Sequence, residues 1–433
     1  MKKIKFVALL CAVFLAFAAV SGCSQPTDEG ENMQDYYITS YYFPNWAKQD
    51  DRDRTFIVDK ESEWGGTKSS IPRFEGHYAP PVPIWGYEDA ADPTVMSKKI
   101  EAASSHGIDA FIFCWYWFAE QREVAKVTEG TYLAAELEKG FLQAENSEDM
   151  EFALVWCNHD VGRNIGTGKL SPDEFEKMTD YIIENYFSRP NAMKIDGKLY
   201  FSIYNLQTFV EQYLSDGRTD IRLAKEALDR FREKTREATG LEMHINAVGY
   251  TDTLNVDYSA VWPTGMITDP DWTVQSYLGI DSMTSYNQIL DLRNYTDSKV
   301  MQPDGKGATI DYETYMSDNM DQVELMVSRY AKRNYPFYPT AMPGIDYTIR
   351  ISRYQEWNTN DMSSYLYSPV LIDNTPEAYE RILEKTRDIM DRYEINIASV
   401  GCWNEWGEGN CIEPNDKYGY GYLQAIKQVF GLN

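Results

Sequence analysis

Eight short apolar runs, each the length of one buried strand and separated by amphipathic stretches, set the tightest limit on how this chain can fold. They lie at 37 to 43, 109 to 116, 151 to 157, 199 to 204, 242 to 249, 258 to 263, 337 to 343 and 396 to 403. Strands covered on both faces of a parallel sheet read as near-continuous apolar runs rather than as an alternation. Eight of them with helices between close a (β/α)8 TIM barrel, an α/β fold in a single domain. The helix starts are marked. Asp92-Pro93, Ser171-Pro172 and Thr375-Pro376 each place a capping side chain before a proline at the first helical position, where the missing N–H costs nothing. Ser171 with Glu174 also fits a capping box. The helix after Pro376 carries Tyr379, Ile382, Leu383, Ile389, Met390 and Tyr393 on one face, which is expected to pack outside the barrel and lead into the last strand. Residues 205 to 240 and 312 to 334 also read as helical, whereas 251 to 311 give only short or irregular segments.

The first residues are set apart from this pattern. Lys2, Lys3 and Lys5 precede an apolar run from Phe6 to Val20, too short for a spanning helix and ending in Val20-Ser21-Gly22-Cys23. That ending resembles a bacterial lipobox. Residues 1 to 22 are therefore expected to be a lipoprotein signal peptide, Cys23 the lipidated first residue, and 23 to 35 an acidic linker. The barrel domain then occupies 36 to 433. Ser24, rather than an aspartate, follows Cys23, which favours the outer membrane, on its periplasmic or its cell-surface side.

A formal charge of −26 makes nucleic acid an unsuitable partner. Cys114, Cys157 and Cys402 fall inside apolar runs and read as small buried residues, and no C-x-x-C or paired-histidine pattern suggests a metal or redox site. Neither metal nor cofactor is expected.

Chemistry concentrates at 397 to 410, where Ile397 to Cys402 reads as a buried strand that breaks into Trp403-Asn404-Glu405-Trp406-Gly407-Glu408-Gly409. Two acids beside flat rings meet the needs of glycosidic bond cleavage: a proton donor, a base or nucleophile, and surfaces on which sugar C–H faces stack. The bland reading is two solvated loop charges with tryptophans plugging the barrel end. Other strand ends add amides, imidazoles and rings, since barrel chemistry sits at the C-terminal ends of the strands. Contacts to substrate are expected from Trp46, Glu75 and His77 after strand one, from Trp117 after strand two, and from Asn158 and His159 after strand three. Tyr204, Asp346, Trp403, Asn404 and Trp406 complete the set. Singly, a strand-end aromatic is more often a core plug than a sugar platform, and a lone histidine more often a satisfied structural residue than a catalyst.

Trp403-Asn404-Glu405-Trp406-Gly407-Glu408-Gly409, followed by Ile412-Glu413-Pro414-Asn415-Asp416, resembles the signature of WbsX-like proteins related to glycoside hydrolase family 99. Phe74-Glu75-Gly76-His77-Tyr78, Asp92-Pro93-Thr94-Val95-Met96 and Trp115-Tyr116-Trp117-Phe118 are similar to the N-terminal half of that family, so the likeness covers about residues 36 to 430. The resemblance implies a retaining glycoside hydrolase acting on a complex polysaccharide or glycan. In it Glu405 is the base toward the substrate 2-hydroxyl, giving a 1,2-anhydro sugar, and Glu408 is the general acid and later the general base. Glu408 must then hold its proton while Glu405 stays ionised. Gly407 stands where the family 99 hydrolases usually carry a histidine, which marks a different substrate. A carboxylate nucleophile from elsewhere, such as Asp346 or Glu75, stays open. Two other readings remain: a glycan-binding surface lipoprotein without catalysis, and a WbsX-type glycosyltransferase. Asp269-Pro270-Asp271 resembles a nucleotide-sugar motif and speaks for the second, while export speaks against it.

Overall fold

The computed structural model describes residues 36–47, 62–118, 130–159, 169–249 and 273–431. Among the described residues eight parallel strands make the main path of one ten-stranded sheet: β1 Tyr37–Tyr42, β2 Ala110–Phe118, β3 Glu151–Trp156, β4 Lys198–Ile203, β5 Met243–Val248, β6 Ser282–Thr284, β7 Phe337–Tyr338 and β8 Ile397–Cys402. Each pairs with its neighbours in chain order, and β8 returns to β1 with Tyr37 opposite Ile397. The last seam, between β7 and β8, is closed just beyond β7. There Ala341 N–H donates to Ser399 O at 2.9 Å and Ser399 N–H to Pro339 O at 2.9 Å. The chain is a (β/α)8 barrel.

The sixth strand departs from the expectation. Its place is taken by Ser282–Thr284, paired with β5 on one side and β7 on the other, whereas 258 to 263 lies outside the described residues. Three residues, Ser-Met-Thr, are too short and too polar to register as an apolar run, yet two neighbouring strands complete their hydrogen bonds. The interior they face is polar too. Ser202 Oγ donates to Asn246 Oδ1 and Asn246 Nδ2 to Ser282 Oγ, both at 2.8 Å, so buried polar groups on β4, β5 and β6 satisfy one another across the barrel.

Outside the sheet run α1 Pro93–Ser104, α2 Pro172–Ile182, α3 Ile221–Thr239, α4 Tyr312–Ala331, α5 Pro376–Arg392 and α6 Gly421–Phe430. The three predicted caps are in place: Asp92 accepts from Thr94 N, Ser171 from Glu174 N and Thr375 from Ala378 N. The Glu174 carboxylate pairs with Lys177 at 2.6 Å. Helix α5 buries Tyr379, Ile382, Leu383, Ile389 and Met390, and packs on α4, α6 and β8. Each such large apolar side chain contributes about 1.5–3 kcal/mol by leaving water. Tyr379 also donates its hydroxyl to Val400 O at 2.8 Å, tying α5 to the strand that ends in the carboxylates. Cys114, Cys157, Cys402 and Cys411 are free and buried.

Candidate active site

Strand β8 ends at Cys402, and the chain then folds back on itself. Asn404–Glu405 pairs antiparallel with Asn410–Cys411, and a single helical turn, Trp406–Glu408, joins them. Gly409 closes the turn at φ 67°, and any Cβ there would lie 2.7 Å from Asp346 N. Only glycine fits both demands. The result presents Glu405 and Glu408 together at the C-terminal mouth of the barrel, in an open cavity of about 1950 Å³. Tyr116, His159, Tyr204 and Tyr286 from the ends of β2, β3, β4 and β6 share that cavity, with Cys114 and Cys157 at its wall.

Arg350 organises the carboxylates. Its Nη2 lies 2.6 Å from Glu405 Oε1 and 2.9 Å from Glu63 Oε1, while its Nε stands 3.7 Å from Glu408 Oε1. Glu63 is held in turn by Asn45 Nδ2 at 3.0 Å. Three acids thus surround one guanidinium. Burial pushes the Glu405 carboxyl well above its usual range, Arg350 opposes this, and Glu408 and Glu63 add to it. Burial raises Glu408 as well, again against Arg350. The expectation that Glu408 alone is raised is therefore not met. The two differ in contact: Glu405 has the short charge-assisted hydrogen bond and Glu408 does not. Burial alone would lower the pKa of Arg350, and the three glutamates outweigh it, so the guanidinium stays charged.

Of the residues singled out in the sequence, Glu405, Glu408, His159 and Tyr204 meet in the cavity. The His159 ring packs edge-on to Tyr204 at 5.1 Å. The tryptophans lie elsewhere. Trp46 and Trp406 are buried with Trp64 in a cluster behind the turn, and Trp406 Nε1 donates to Glu413 Oε2 at 2.8 Å. Trp403 is fully buried against Phe111. Trp117 is on the outward face of β2, against Tyr181, because strand side chains alternate and Cys114 and Tyr116 take the inward positions. None of the four offers a sugar-stacking face to the cavity. The amides are structural as well: Asn404 Oδ1 accepts from Phe43 N at 2.8 Å, and Asn158 bonds Asn205 N and O at 2.7 Å each.

Glu75 is exposed and outside the cavity. His77 and Asp346 meet each other, Nε2 to Oδ2 at 2.6 Å. His77 Nδ1 accepts from Arg73 N at 3.0 Å, so Nε2 carries the proton and donates it. Asp346 Oδ1 caps the turn Tyr347–Arg350 through Thr348 N at 3.0 Å, and Asp346 N donates to Glu408 O at 2.7 Å. This pair sets the positions of Arg350 and Glu408 from behind. Arg350, Glu63 and Tyr286 went unread in the sequence because each arrives on an irregular segment; a lone cation between Ile349 and Ile351 was the available signal.

Residues 38–426 match the family described as glycosyltransferase WbsX. The chain belongs to that family. Two curated relatives, both uncharacterised WxcX proteins from strains of Xanthomonas campestris pv. campestris, are 23% identical over 393 residues, covering 85% of this chain and 46% of theirs. The chain spans about half the length of those relatives. Among solved structures, a glycoside hydrolase-like protein is 14% identical with a TM-score of 0.50, covering 95% of this chain and 98% of its own. A family 99 endo-α-mannosidase from Bacteroides thetaiotaomicron is 14% identical with a TM-score of 0.49, covering 92% and 97%. At such identity the first of these likenesses is one of fold: this WbsX-family chain has the barrel of a glycoside hydrolase-like protein.

Proposed function

We propose that the protein is a glycoside hydrolase that cleaves a glycosidic bond in a complex polysaccharide or glycan. The observation that carries this reading is the pair Glu405, buried, and Glu408, half-buried, on one tight turn at the cavity mouth, with Arg350 hydrogen-bonded to the first and facing the second across 3.7 Å. Glu405, which Arg350 draws toward its ionised form against the burial that raises it, takes the proton of the substrate 2-hydroxyl as that oxygen attacks the anomeric carbon. Glu408 gives its proton to the leaving oxygen as the glycosidic bond breaks. Water then opens the 1,2-anhydro sugar, with Glu408 taking its proton and Glu405 returning one to the 2-oxygen, so configuration is retained. His159, Tyr204 and Tyr286 supply hydrogen-bonding and ring contacts to the sugar. Cleavage outside the cytoplasm follows if Cys23 carries lipid and anchors the protein to the outer membrane.

A glycosyltransferase remains the second reading because the family is described so; Asp269-Pro270-Asp271 lies outside the described residues. A glycan-binding lipoprotein without turnover is the third. A polysaccharide screen with soluble protein starting after Cys23 separates the three. Released reducing ends support hydrolysis, nucleotide diphosphate binding with sugar transfer supports the second reading, and binding with neither supports the third.

A further inference from the structure

Gly407 lies between the two glutamates, and its backbone is not in the left-handed region, so conformation does not demand glycine there. Space does. A Cβ at 407 would lie 2.7 Å from Glu63 Oε1 and 2.8 Å from Arg350 Nε. The Glu63–Arg350 pair therefore fills the volume that a side chain at 407 would take. Arg350 is brought there by the Asp346-capped turn that also grips the Glu408 backbone, and its guanidinium lies 5.6 Å over the Phe43 ring. Its Nε is buried, lacks a hydrogen-bond partner, and faces Glu408 Oε1 across 3.7 Å. A buried unpaired donor costs free energy unless another state of the site satisfies it.

We propose that Arg350, seated in the space left open by Gly407, is the positioning residue of the site. Through Nη2 it holds and orients the Glu405 carboxyl and favours its ionised form, and through Nε it receives Glu408 once that residue has passed its proton to the leaving oxygen. Glu63, braced by Asn45, keeps the guanidinium from collapsing onto Glu405 alone. The role rests on the hydrolase reading, but its electrostatic core can be measured without any substrate.

The test is a carboxyl titration by NMR of protein carrying ¹³C at the glutamate side-chain carboxyls, with the Glu405 signal assigned by its absence in Glu405→Gln. Wild type is compared with Arg350→Gln and with Gly407→Ala, and the same samples are melted to show that they are folded. The Glu405 midpoint is expected to rise by about one pH unit or more in Arg350→Gln, the size of an adjacent guanidinium's effect on a carboxylate. It should rise similarly in Gly407→Ala, which keeps every charge and only displaces the pair. A Glu405 midpoint at its wild-type value in both variants overturns the proposal. Since no glycan is added, that result is distinct from a failure to find hydrolysis.

Discussion

His244 shows how one buried side chain on β5 sets the response of the fold to acid. Its ring stacks 5.8 Å from Tyr200 and 6.3 Å from Tyr338, and Nε2 is 2.7 Å from Ser282 Oγ. Burial lowers its pKa from 6.5 to about 4, with Asp281 opposing and Lys198 assisting. Between those values the unfolded chain binds a proton that the folded chain refuses. Stability from this group is therefore complete above pH 6.5 and is lost as pH falls through about 4. The loss is of the order of 3 kcal/mol, from a shift of about 2.5 pH units at about 1.4 kcal/mol each. Calorimetry of His244→Phe across that range should show a shallower acid slope than wild type; equal slopes would remove His244 as the cause. The residue-level reading of the sequence was strong where chemistry is local. Two acids three apart on a strand-to-turn break had to emerge close together, and Cys114, Cys157 and Cys402 are buried as expected. It was weak for Trp46, Trp403 and Trp406, because an indole at a strand end satisfies the core as well as it would satisfy a sugar, and here burial prevails.

A buried ion pair ties helix α1 to the segment that follows the Glu405–Glu408 turn. Lys99 Nζ lies 2.9 Å from Glu413 Oε1, with the two side chains 4% and 2% exposed, and the other Glu413 oxygen accepts from Trp406 Nε1. Removing one partner leaves a buried charge without compensation, which costs about 3–5 kcal/mol, although replacing both can be nearly neutral. Lys99→Met should accordingly lower the melting temperature sharply, and Lys99→Met with Glu413→Gln should recover much of the loss; a single variant that melts like wild type would contradict this coupling. Helix starts were readable from the sequence because a cap and its proline are neighbours in the chain, as at Asp92-Pro93 and Thr375-Pro376. The β6 strand was not, because Ser282–Thr284 is stabilised by pairing with β5 and β7 rather than by its own composition.

At the scale of the molecule, the barrel gathers loops distant in sequence around one cavity, which is why its overall form was legible and its site only in part. Strand periodicity fixes the sheet, and the sheet fixes where strand ends point. Nothing local says that Glu63, Arg350 and Glu405 will meet, since 287 residues separate the first two and the contact exists only after closure. The same closure makes the hydrolase reading testable at two positions. Once the screen supplies a cleaved polysaccharide, the decisive measurement is the rate of reducing-end release by wild type, Glu405→Gln and Glu408→Gln, with glycan affinity measured in parallel. Both variants should bind as wild type does and lose about 10²–10⁴-fold in rate, the scale of a lost acid or base. Full hydrolysis by either variant would contradict the assignment of the two glutamates.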